Sequence, residues 1–95
     1  MTKAKMIETL RDREAELWLM HCEYRRYNAP LDSVEALRAW EDNDSRYMKQ
    51  LYAWATASEM LESIGVQPNW EHPAHEEASQ LNTEVWKLTH RKEIA

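Results

Sequence analysis

The sequence predicts an all-α fold: a long antiparallel helical hairpin plus a shorter third helix, a three-helix bundle completed by dimerisation. Three observations carry that expectation. One Gly and three Pro among 95 residues are too few for a turn-rich β protein. Apolar residues recur every three or four positions along three stretches, which is helical spacing. Pro and Gly fall between those stretches.

The first helix is expected over 2–28, with Thr2 as its N-cap. Its apolar seam is Met6, Leu10, Arg13, Leu17, Met20, Tyr24 and Tyr27, widened by Ile7, Trp18 and Cys22. Arg25 and Arg26 suit the negative end of its dipole. Asn28-Ala29-Pro30 ends it, and Asp32 or Ser33 caps the second helix. So short a connection predicts antiparallel neighbours.

Residues 33–64 contain no Pro and no Gly and read as one helix around which the rest is arranged. Its seam is Leu37, Trp40, Asp44, Tyr47, Leu51, Trp54, Ser58 and Leu61, in alternating steps of three and four. The weak point is Glu41-Asp42-Asn43-Asp44-Ser45, whose side chains compete for backbone hydrogen bonds. Continuity is favoured because the heptad phase survives the joint, and the alternative is a kink, or a stop and restart with Asp44 or Ser45 as cap. Gly65 stops the helix, and Trp70 is expected to fold back onto the bundle end.

The third helix is expected over 74–92, with Pro73 in its first turn. Its seam is Ala74, Ala78, Leu81, Val85 and Leu88, with Trp86 beside it. At 1.5 Å per residue it is about 28 Å long, against about 40 Å or more for the hairpin helices. Part of the hairpin's apolar stripe would then stay open, which predicts a homodimer or a protein partner.

Composition narrows the function classes. A net charge of −5 disfavours nucleic acid, whose backbone is read by positive charge. A lone cysteine, Cys22, rules out a disulfide framework and suits a reducing cytoplasm. No apolar run is long enough to span a bilayer, so no membrane partner is expected. A single Gly excludes a glycine-rich phosphate loop.

Chemistry-bearing clusters are weak. Arg13 and Asp44, the charged members of the two seams, are expected to form a structural ion pair that sets register. His72 and His75, with Glu71, Glu76, His21 and Cys22, include zinc-competent groups without a zinc signature. Glu41 with Asp44, and Glu59 with Glu62, have the spacing of magnesium-binding carboxylates, with Arg38 and Lys49 as cations. The resulting alternative, a magnesium-dependent nucleotide hydrolase, is remote because the pairs lie about 27 Å apart on a straight helix. The expectation is therefore a non-enzymatic protein that works by protein–protein interaction, with no cofactor and no metal. Trp18, Trp86, Tyr24 and Tyr27 are its candidate contact residues, since aromatics dominate interface hot spots. A small-ligand or metal-binding bundle, or an acidic DNA mimic, is the alternative class.

Overall fold

A computed structural model of the chain describes residues 2–91. They form α1 (Lys3–Asn28), α2 (Val34–Asn43), α3 (Ser45–Ser63) and α4 (Pro73–Thr89). No helix among them is long and apolar enough to cross a membrane. The predicted end of the third helix at 92 lies outside the described residues.

The expected caps are in place. Thr2 accepts from Lys5 N at 3.2 Å, and Ser33 accepts from Ala36 N at 3.1 Å. After α3, Gly65 adopts φ 70°, a left-handed conformation that costs glycine little. Its N–H bonds Glu62 O, and Val66 N–H bonds Leu61 O, the paired bonds of a Schellman stop. Pro73 opens α4, and the His72 ring accepts from Ala74 N through Nδ1 at 3.0 Å.

The expectation of one continuous helix over 33–64 is corrected. Asp44 has extended backbone, φ −81° and ψ 112°, and ends α2 while capping α3. Its Oδ1 accepts from Tyr47 N at 2.8 Å. The same carboxylate accepts the Tyr24 hydroxyl at 3.0 and 3.1 Å. The cap and the tertiary bond together outweigh the kept heptad phase.

The break changes what the chain is organised around. The hub is α1, with α3 packed along one side and α4 along another, and α3 and α4 make no extended contact with each other. Facing pairs Trp18–Trp54, His21–Tyr47 and Tyr24–Asp44 show α3 antiparallel to α1. The pairs Asp12–His72, Glu14–His75 and Arg26–Glu84 show α4 running parallel to it. Freed at Asp44, α2 turns across the bundle end, where Leu37 packs with Leu31 and Val85.

The α1 seam is also corrected. Met6, Arg13, Met20 and Tyr27 are exposed, whereas Glu14, Ala15, Leu17, His21 and Cys22 are buried. The α3 and α4 seams keep their predicted phase, and none of their members is exposed. Cys22, Ala78 and Leu81 form the apolar contact between α1 and α4. The molecule measures 52 × 26 × 19 Å with a radius of gyration of 15.3 Å. A compact chain of this length has a radius near 12 Å, so the arrangement is elongated.

Asp44→Ala is expected to lower unfolding free energy by about 1–2 kcal/mol in urea titration, through loss of the α3 cap and the Tyr24 bond. Asp44→Asn, which still caps, should cost less.

Candidate interaction cleft

A cleft of about 880 Å³ runs along α4, lined by Trp18 of α1 and by Trp70, His75, Asn82 and Trp86 among others. Trp18 is half-buried and comes from α1, while Trp70 and Trp86 are 67% and 54% exposed. Trp70 packs on His75 with ring centres 5.1 Å apart, so its expected return to the bundle leaves much of the indole in solvent. Trp86 stacks on His90 at 4.4 Å with a 15° interplanar angle.

Aromatic rings form a ladder that meets the cleft at Trp18. Trp54, Trp18, His21, Tyr47, Trp40 and Tyr24 succeed one another at centroid distances of 4.6, 5.2, 4.6, 5.1 and 5.6 Å. Tilted ring pairs at such separations are favourable beyond their burial. The ladder joins α3, α1 and α2, and its Trp18 lines the cleft.

A polar chain crosses all four helices. Tyr47 donates to Glu41 Oε2 at 3.0 Å, and Arg25 Nη1 donates to the same oxygen at 3.2 Å. Arg25 Nη2 donates to Asn82 Oδ1 at 2.6 Å, and Asn82 Nδ2 donates to Cys22 Sγ at 3.4 Å. Burial, then the Glu41 charge and hydrogen bond, push the Tyr47 phenol up to about 12. Burial raises the Tyr24 phenol, assisted by its bond to Asp44. Burial likewise raises the Cys22 thiol, which keeps it from being a ready nucleophile.

The α4 start is fastened to α1 through histidines. His72 Nε2 lies 3.5 Å from Asp12 Oδ1. His75 Nε2 lies 2.7 Å from Glu14 Oε1 and 3.1 Å from Oε2, and Glu14 is 1% exposed. Only the longer contact has hydrogen-bond geometry, so Oε1 lacks a bond of its own. Residues 72 and 75 thus act as interhelix fasteners. Among the described residues, no three His, Cys, Asp or Glu side chains converge on one point.

The candidate residues separate. Trp18 and Trp86 meet at the cleft, Tyr27 is exposed on another face of α1, and the Tyr24 hydroxyl is committed to Asp44. The expected Arg13–Asp44 ion pair is corrected: Arg13 is exposed, and Asp44 faces Tyr24. The reason is register. Since α2 crosses the bundle end, Asp44 meets α1 one heptad further along than a simple hairpin places it. Of the carboxylate pairs, Glu41 and Asp44 are engaged as described, and Glu59 and Glu62 are exposed. Sequence reasoning missed Asn82 and Trp70 as cleft residues and Glu14 as a core residue. Glu14 lies seven residues before His21 on one α1 face, but polar residues carry no signal in an apolar-period reading.

No family model, no curated protein and no solved structure matches this chain.

The buried polar groups set two expectations. His75→Phe should cost about 3–5 kcal/mol in urea unfolding, because Glu14 loses its polar partner in the interior. Glu14→Leu combined with His75→Phe should recover much of that loss, as an apolar pair leaves nothing unpaired. The second concerns acid. Burial chiefly, with the Arg25 charge, holds His21 down at about 4 against 6.5 unperturbed, and Glu41 opposes weakly. The unfolded chain therefore binds more protons in that interval. Stability from neutral His21 is full above pH 6.5 and is lost as pH falls toward 4. Denaturant titrations across that range should show a loss of about 2–3 kcal/mol that His21→Phe removes.

Proposed function

We propose that this protein is a binding module that takes the face of another protein helix into the cleft along α4, and that it performs no chemistry of its own. The observation that supports this reading is the cleft itself: about 880 Å³, floored by Trp18 and bordered by Trp70 and Trp86. The cleft follows the open face of α4, and a further helix is a shape that packs along such a face. Trp is the residue type most enriched at interface hot spots. Helix-in-groove recognition needs apolar anchors spread over several turns. Trp70 and Trp86 bracket about four turns of α4, which suits a helix better than a small molecule enclosed on all sides.

Site-specific photocrosslinking in the source cell tests the reading. A benzophenone side chain placed at Ser79, in the cleft, should give protein adducts that Trp86→Ala suppresses. The same probe at Glu35, exposed on α2, should give few. Equal adducts from both positions, or none from Ser79, would overturn the proposal.

A further inference from the structure

We propose that the occupant of the cleft is a second copy of this chain, joined through an antiparallel α4–α4 contact about a two-fold axis near Thr83. This rests on the helix-binding reading above and names its partner. The first support is the pattern on the open face of α4. Glu76, Ser79, Thr83, Trp86 and His90 alternate in steps of three and four, the spacing of a helix seam. Ala74, Ala78, Leu81 and Val85 occupy the buried face, so this is a second seam on the same helix. Its middle is small. Ser79 and Thr83 are exposed, and the Thr83 hydroxyl is spent on Ser79 O at 3.0 Å. Its far end is large, in Trp86. An antiparallel pairing lays each Trp86 over the 76–80 turn of the other copy, large against small, at both ends. That reciprocity is what a two-fold interface requires.

Charge selects the same direction. Glu76 and Glu77 stand exposed at the start of α4, and Lys87 and Arg91 stand exposed at its end. A parallel pair sets like charges together, whereas an antiparallel pair sets each acidic start against a basic end. The His90 stack and bond orient the Trp86 indole in advance, with His90 Nδ1 2.8 Å from Trp86 O. Pre-orientation lowers the ordering cost of association.

The area is sufficient. The chain exposes 6667 Å². A standard interface takes about 800 Å² from each partner.

Native mass spectrometry and sedimentation of the full chain provide the test. The wild type should be dimeric at about 10 μM. Trp86→Ala should raise the dissociation constant by about thirtyfold or more, with helicity unchanged, because the side chain is largely exposed. Glu76→Lys and Lys87→Glu should each weaken the homodimer. An equimolar mixture of those two variants should form a heterodimer, since every reversed charge then meets its opposite. A wild type monomeric at about 100 μM overturns the proposal. So does a dimer indifferent to Trp86→Ala and to both charge reversals. A monomer whose Ser79 probe captures a different protein overturns the second-copy inference while leaving the helix-binding reading in place. Absence of both dimer and adduct removes both.

Discussion

Asp44 is the constraint on which the other contacts depend. Its side chain is close enough to accept from Tyr47 N and from the Tyr24 hydroxyl, so one carboxylate starts α3 and ties it to α1. The residue can do this only outside a helix, where its backbone is extended. The chain direction therefore changes there, and α2 leaves the axis of α3. Leu37 consequently reaches Val85 on α4, and Trp40 reaches Tyr24 and Tyr47. A straight helix through this point would carry Leu37 and Trp40 on along α1.

The interfaces made by α1 differ in character. Toward α4 the contact at Cys22, Ala78 and Leu81 includes small residues, which let the helices approach closely. Toward α3 it is aromatic and polar, with the ring ladder and Tyr47–Glu41–Arg25 among its links. The buried polar groups favour one register, because sliding α1 by a turn would separate Glu14 from His75 and Arg25 from Asn82. Such groups are better at specifying an arrangement than at stabilising it.

This division explains which parts of the molecule could be read in advance. The helix ends were legible: Thr2, Ser33, Gly65 and Pro73 act locally, through backbone bonds within a few residues of themselves. The α3 and α4 seams were legible because apolar side chains repeat at helical spacing on one face. The α1 seam was not. Its buried face carries Glu14 and His21, which an apolar pattern excludes, while Met6, Met20 and Tyr27 supply a competing apolar line that remains exposed. Of the cleft residues, Trp18 and Trp86 stood out as large aromatics beside seams, but no periodicity connects Trp70 or Asn82 to them.

By itself the sequence determined the all-α class, three of the four helix starts, the helix stops at Asn28 and around Gly65, and the burial of two faces, because these depend on propensity, capping and short-range pattern. Only the tertiary structure decided that Asp44 breaks the longest pattern, that α1 is the hub, and that α3 and α4 stand apart. Those outcomes turn on side chains far apart in the chain. At residues 41–45 the local signals point both to continuing and to capping, and the capping carboxylate is the one bonded by the Tyr24 hydroxyl, twenty residues away.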